Sequence, residues 1–230
     1  MGQTGNIRAV TFDVGGTLIE PWPSVGHVYA EVAARHGAGP LDAGLLNRRF
    51  HAAWKSREKF DYTAQDWSDI VDETFAGLIS ETPSRTFFPE LFERFAEAAA
   101  WRIYDDVRPT LAALAERGLR LGVISNWDDR LRPLLKSLRL ADCFEIIIVS
   151  CEIGASKPSP GPFQAAVKAF HFPACAVLHV GDSAEMDVAG ARAAGFQAVQ
   201  IVRNCNFTDA GQVSSLGELE ALISRTKGRR

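Results

Sequence analysis

The chain has 230 residues, of which 47% are hydrophobic and 23% charged, and its formal net charge is −3. That balance suits one large globular domain, or a medium domain carrying an insertion, whose core needs no covalent staples. A slightly acidic chain, whose only concentrated basic stretch is its end, Lys227–Arg230, is not expected to be a nucleic-acid binder built on phosphate contacts.

Five short apolar stretches read as buried strands: Ile7–Asp13, Arg120–Ser125, Glu145–Ser150, Ala176–Gly181 and Ala198–Val202. Continuous runs rich in Val, Ile and Leu are the pattern of strands covered on both faces. Helical patterns lie between the later ones, at Pro109–Glu116, Asp129–Leu138, Gly161–Phe170 and Met186–Ala194, and Gly118 and Gly195 stand where a helix stop is favoured. Alternating strands and helices predict an α/β fold, a doubly wound parallel sheet with helices on both sides. The gap between the first and second strands is far longer than one crossover helix requires. It carries helical patterns at Ser24–His36, Asp42–Lys59, Asp66–Ser80 and Phe88–Arg102. Ser24 and Asp66 are the candidate caps there, and Gly37 the candidate terminator. An all-helical domain is therefore expected over 19–105, inserted into a core made of 1–18 and 106–230.

No apolar run has the length of a membrane span, and the run after the polar start Met1–Asn6 meets Asp13 too soon for a signal peptide. A cytoplasmic protein with no membrane partner is expected. Cys143, Cys151, Cys175 and Cys205 show no CxxC spacing, so reduced thiols buried as small hydrophobes are expected rather than a zinc site or redox pair.

Ligands of open parallel sheets bind at the carboxyl ends of the strands. Four of those ends carry reactive groups. The first strand runs into Asp13-Val14-Gly15-Gly16-Thr17 and the second into Ser125-Asn126. Lys157-Pro158 lies in the loop after the third, and the fourth ends in Gly181-Asp182 with Asp187 just beyond. Taken singly, each has a plain alternative as a turn residue, a helix cap or an exposed loop. Together they put a nucleophile, a hydroxyl, a cation and an acidic pair on one sheet edge.

In this order and at these strand ends, the motifs resemble those of the haloacid dehalogenase-like hydrolase superfamily, in its helical-cap branch. The likeness covers Ile7–Thr17 and about Val107–Arg203, and Lys157–Phe163 strengthens it. The resemblance implies a hydrolase whose Asp13 attacks the substrate; for a phosphate ester this gives an aspartyl phosphate. It implies Mg²⁺ held by Asp13, Asp182 and the Gly15 carbonyl. Lys157 would stabilise the transition state beside Asp13. Ser125, with the backbone amides around Asn126 and Gly16, would bind the phosphoryl oxygens. Thr17 and Asp187 would support the site, Asp187 by orienting metal waters or Lys157. The implied partner is a small phosphorylated metabolite, and the implied assembly a monomer or homodimer.

Phosphatases of this superfamily usually carry a second Asp two residues after the nucleophile, as acid and then base. Here that position is Gly15. Three readings follow: a slow or specialised phosphatase, a catalytically weak phosphate- or metabolite-binding or regulatory protein, and a haloacid dehalogenase or phosphonate hydrolase. The dehalogenase branch works without metal and lacks an acidic pair such as Asp182 and Asp187, whereas Lys55 and Lys59 leave the phosphonate option open.

Other residues read as structural. Asp128 and Asp129 are expected to cap the next helix, Asp105 and Asp106 to belong to the hinge returning from the insertion, and His179 to be a core histidine. The insertion is expected to open and close over the strand ends. Trp22 is its candidate pocket residue; Trp54 and Trp67 are expected in its core, and Phe60 is a further aromatic there.

Overall fold

The computed structural model describes residues 6–57, 60–203, 205 and 209–227. In chain order the elements are β1 (Ala9–Phe12), β2 (Ile19–Pro21), α1 (Val25–Arg35), α2 (Ala43–Lys55), α3 (Ala64–Phe75), α4 (Phe88–Arg94) and β3 (Trp101–Ile103). There follow α5 (Val107–Glu116), β4 (Arg120–Ser125), α6 (Leu131–Ser137), β5 (Ile146–Val149), α7 (Ser150–Ile153), α8 (Pro160–Phe170) and β6 (Val177–Gly181). A π-helical turn, Ala184–Ala189, leads into α9 (Gly190–Ala193), then β7 (Gln197–Ile201), β8 (Gln212–Val213) and α10 (Leu219–Lys227). The chain forms two compact units: one runs through Ile19 and resumes at Ile103, and the other is Glu20–Arg102.

The first unit is an α/β core. Its six strands lie in the order β5-β4-β1-β6-β7-β8, and the paired neighbours run parallel. The chain winds outward from β1 through β4 to β5, then returns to the other side of β1 for β6. The strand order therefore reverses at β1, where the crevice of a doubly wound sheet forms. Every residue of β1 and β6 is buried, which explains why both read as unbroken apolar runs. On one face Phe163, Ala166 and Phe170 of α8 pack with Ala9, Ile124, Val177 and Phe196.

Four expectations for this unit need correction. The strand pair β7–β8 was not expected, because two residues carry no periodic signal. The expected helix Met186–Ala194 begins instead as a π turn, in which the amides of Asp187 and Val188 both donate to Ser183 O, at 3.1 and 3.2 Å. Asp128 and Asp129 do not cap α6: the Asp128 carboxylate binds the backbone N and guanidinium of Arg130. The described cysteines are not buried: Cys143 and Cys151 are exposed, and Cys175 and Cys205 half-buried.

The second unit packs its helices around Val28, Tyr29, Val32, Leu46, Val71, Phe75 and Leu91, with Tyr29 stacked on Phe75 at 5.7 Å. α1 and α2 approach closely at Gly26, where a Cβ would fall 2.0 Å from Ala43 O. The Gly26 amide donates to Asn47 Oδ1, and Asn47 also reaches the cap residue Ser24. Ser24 caps α1 as expected, and Gly37 follows it with φ +83°. For α3 the cap is Thr63, and Asp66 is the reciprocal partner three residues on. The expected helix Phe88–Arg102 stops at Arg94. Trp101 Nε1 binds Phe95 O, and Trp22 N pairs with Ala100 O beside the β2–β3 ribbon, so strand pairing overrides the helix propensity of the alanines. Trp54, Phe60, Tyr62 and Trp67 pack on one another, with Trp54 and Phe60 4.7 Å apart and Trp54 and Trp67 5.1 Å apart. Lys55 is exposed on α2; Lys59 and the terminal Gly228–Arg230 lie outside the described residues. No helix among the described residues is long and apolar enough to cross a membrane.

Candidate active site

Asp13 stands one residue past β1, its backbone N bonded to Val180 O at 2.9 Å, so neighbouring strands fix its position. Its Oδ1 accepts from Lys157 Nζ at 2.6 Å and from Ser125 Oγ, at the end of β4, at 3.1 Å. The Lys157 ammonium is buried, and it donates as well to Asp187 Oδ1 at 2.5 Å and Ile124 O at 2.8 Å. An ammonium has three protons, so each has an acceptor. Lys157 therefore acts on the carboxylates that flank it.

Its backbone is held just as closely. Asn126 Oδ1 accepts from Lys157 N at 2.7 Å, and Asn126 Nδ2 donates to Lys157 O at 2.9 Å. The Asn126 side chain is thus a clamp on the lysine loop. The next residue, Trp127, is pinned by Ser150, whose Oγ accepts from Trp127 N and donates to Trp127 O, each at 3.0 Å.

The loop after Asp13 closes on itself. Gly16 N donates to Ile19 O at 2.8 Å, so that amide, expected to face the phosphoryl group, is spent within the turn. Gly16 has φ +72°, and a Cβ on it would lie 2.6 Å from Asp182 Oδ2. Gly15 lacks a positive φ, and a Cβ there would stand 3.4 Å from the Trp127 ring. Thr17 is fully buried, its carbonyl accepting from Arg203 Nη2. Arg203 Nη1 also binds Asp106 Oδ2, which ties that loop to the start of α5.

Asp182 follows β6, and Asp187 projects from the π turn. One carboxylate oxygen from each of Asp13, Asp182 and Asp187 falls within 4.8 Å of the others. Asp187 is taken up by the protein: Oδ1 meets Lys157 and His179, and Oδ2 accepts from Ser183 N at 3.0 Å. Asp182 is open to solvent.

The charges do not balance. The one ammonium in contact with the cluster bonds Asp13 and Asp187 but not Asp182, so three ionised carboxylates would leave a surplus of two negative charges. Burial pushes the Asp13 carboxyl up to about 7 despite the opposing pull of Lys157, and the charges of Asp187 and Asp182 add to the rise. Loss of solvation among packed neighbours, then the charge of Asp187, pushes Asp182 up to about 6. Asp187 goes the other way: burial opposes its ionisation, but Lys157 and the His179 hydrogen bond hold it well below the usual carboxylate range. A divalent cation between Asp13 and Asp182 would cancel the surplus, and hard oxygen donors suit such an ion. The acidic cluster fits a metal.

Of the sequence-predicted residues, the core unit brings together Asp13, Gly15, Gly16, Ser125, Asn126, Lys157, Asp182 and Asp187, with Thr17 in the adjoining loop. Trp22 belongs to the other unit, where it is 44% exposed and carries the Arg102 guanidinium 4.0 Å above its ring. Sequence reasoning missed two connections, Trp127 against Gly15 and His179 against Asp187. The second had a signal: a histidine inside a fully buried strand needs a polar partner.

The structure thus places a buried carboxylate, held by a lysine and a serine, beside two further carboxylates at the switch point of a parallel sheet. The family model for haloacid dehalogenase-like hydrolases matches residues 7–195. The chain belongs to that family. It is 32% identical over 213 residues to human haloacid dehalogenase-like hydrolase domain-containing protein 3, covering 88% of this chain and 84% of the relative. It is 30% identical over 216 residues to the phosphoglycolate phosphatase of Photorhabdus laumondii, covering 91% and 86%. Among solved structures, a HAD phosphatase from Thermococcus onnurineus aligns with a TM-score of 0.65 at 25% identity, over 94% of this chain and 98% of that one.

Proposed function

We propose that this hydrolase is a magnesium-dependent phosphatase for a small phosphorylated metabolite, specialised by Gly15 at the position of the usual proton donor. The observation that carries the reading is the charge arrangement around Asp13: three clustered carboxylates and one ammonium, which bonds two of them. The likeness to a phosphoglycolate phosphatase supports the phosphate-ester class.

In this reading both donors to Asp13 fall on Oδ1, and Oδ2 makes the new bond to phosphorus. The ester oxygen leaves with its electron pair, and water then cleaves the aspartyl phosphate to return the carboxylate. Lys157 favours the ionised form of Asp13 and holds it in place, and Ser125 turns its hydroxyl between Asp13 and a phosphoryl oxygen. Asp13, Asp182 and the Gly15 carbonyl would hold Mg²⁺, which when bound supplies positive charge against two approaching anions. Asp187, committed to Lys157, serves outside the ligand set. Gly15 gives the leaving group no proton, so esters with acidic leaving groups are the favoured substrates.

The test is phosphate release from p-nitrophenyl phosphate with and without Mg²⁺, using Asp13→Asn as control. Magnesium-dependent release that Asp13→Asn abolishes supports the phosphatase. Metal-free halide release from a 2-haloacid would replace it with a dehalogenase. No turnover across a broad phosphate-ester panel would leave a binding or regulatory protein.

A further inference from the structure

Thr11 and His179 are register partners on the adjacent central strands β1 and β6, and both are fully buried. Their side chains meet across the strand pair: Thr11 Oγ1 lies 2.9 Å from His179 Nδ1. The other ring nitrogen, Nε2, lies 3.1 Å from Asp187 Oδ1. The same oxygen receives Lys157 Nζ, and Lys157 Nζ reaches Asp13 Oδ1. A single polar path therefore runs through the sheet from Thr11 to the nucleophile. The His179 ring also packs edge-on to Phe163, with centroids 5.4 Å apart, so packing as well as bonding sets its angle.

Both Asp187 oxygens already accept, Oδ1 from the Lys157 ammonium and Oδ2 from Ser183 N, so the proton between His179 and Asp187 is assigned to Nε2. A neutral ring with its proton on Nε2 leaves Nδ1 to accept from the Thr11 hydroxyl. Asp187 is thereby oriented from three sides: by His179 on β6, by the Ser183 amide in the following loop, and by Lys157.

We propose that His179, oriented by Thr11, is a positioning residue that aims Asp187 and so fixes how the Lys157 ammonium is shared with Asp13. An apolar residue at this strand position would fill the core without burying a polar ring. The imidazole adds a donor aimed at Asp187. The inference rests on Asp13 being the nucleophile, and it extends the site into the sheet behind it. Orienting partners behind reactive groups typically change rates by about tenfold to a hundredfold when removed.

The test compares His179→Leu, which fills the space without a donor, with His179→Gln, which keeps an N–H. The probe is p-nitrophenyl phosphate with Mg²⁺. We expect His179→Leu to lower kcat by about tenfold or more with KM little changed, and His179→Gln to recover most of it. Thr11→Val should fall between the two. A kcat for His179→Leu within twofold of wild type would overturn the proposal, as would equal losses in Leu and Gln variants that track their loss of melting temperature. Nitrogen-15 spectra of the wild-type imidazole give a reading independent of turnover. A ring protonated on Nε2 is expected, and one protonated on Nδ1 overturns the proposal. A wild-type enzyme that turns over no phosphate ester removes the phosphatase reading and the rate effect with it, while the spectrum still decides the contact.

Discussion

A Cβ on Gly16 would stand 2.6 Å from Oδ2 of Asp182, at a backbone φ of +72°. Two demands coincide there. The turn needs a left-handed residue, and the acidic group needs the space that a side chain would fill. Gly16→Ala should therefore cost only about 1–2 kcal/mol of stability, the usual penalty for a Cβ in that conformation, because the Asp182 carboxylate is able to swing aside. Activity should suffer far more. Phosphatase assays over a magnesium series are expected to show a raised metal requirement and at least a tenfold loss at low magnesium. An unchanged magnesium dependence would show that Asp182 does not hold the ion.

Gly15 behaves differently, although it is the adjacent glycine. Its φ is not positive, and a Cβ would meet the Trp127 ring at 3.4 Å, an ordinary van der Waals contact. Gly15→Asp should fold, and should supply the missing proton donor. General acid assistance is commonly worth about a hundredfold to ten-thousandfold, so the gain should appear where the leaving group is poor. Steady-state rates for an alkyl phosphate are expected to rise by at least about tenfold, and those for p-nitrophenyl phosphate by much less. Equal change for the two esters would show that leaving-group protonation does not limit the wild-type enzyme.

The raised Asp13 carboxyl has a consequence for stability. In the fold it titrates at about 7, against an ordinary value of 3.8. For an acid shifted upward, ionisation opposes folding. The penalty grows as pH rises from the unfolded value to the folded one, and is complete above both. At pH 8 without metal, Asp13→Asn should therefore melt no lower than wild type, and with magnesium it should show no turnover. Magnesium should raise the wild-type Tm, by mass action on the folded state, and leave that of Asp13→Asn nearly unmoved. Calorimetry or dye-monitored melting decides it: a variant clearly less stable than wild type in metal-free buffer contradicts the charge imbalance.

The convergence of Asp13, Ser125, Lys157, Asp182 and Asp187 was legible because each lies at or beyond the carboxyl end of a strand, and a parallel sheet brings those ends to one edge. What the strand pattern cannot show is how a side chain spends its bonds. Asn126 reads as a substrate contact through its backbone amide, and the strand pattern says nothing of its side chain, which bonds the Lys157 backbone in both directions. Gly16 reads as an amide donor, but its own turn consumes it. His179 sits in an apolar run that predicts only core. Its function appears when Thr11 is set beside it on the neighbouring strand. The π turn escaped for a similar reason, since the helical spacing of Met186–Ala194 hides the extra residue that carries Asp187 toward Lys157. β8 has only two residues and β3 pairs with β2, distant in sequence, so no local signal announces either.

The anchor behind the Gly15–Thr17 loop makes the last test. Asp106 Oδ2 accepts from Arg203 Nη1 at 2.7 Å, from Ser215 Oγ at 2.8 Å and from Leu216 N at 2.8 Å. The same guanidinium holds the Thr17 carbonyl. Partial burial raises the Asp106 carboxyl, but these donors outweigh it and hold the group below its ordinary 3.8. A depressed acid contributes stability that is complete above the unfolded value and is lost as pH falls through the folded one. Asp106→Asn should thus cost about 1–3 kcal/mol at pH 7, the range for losing charged hydrogen bonds. Its deficit against wild type should shrink below about pH 4, where the carboxyl of the unfolded wild-type chain begins to take up protons. Urea unfolding at pH 7 and at pH 3 measures both quantities, and a deficit that stays constant between them would show that the charge of Asp106 contributes nothing to the anchor.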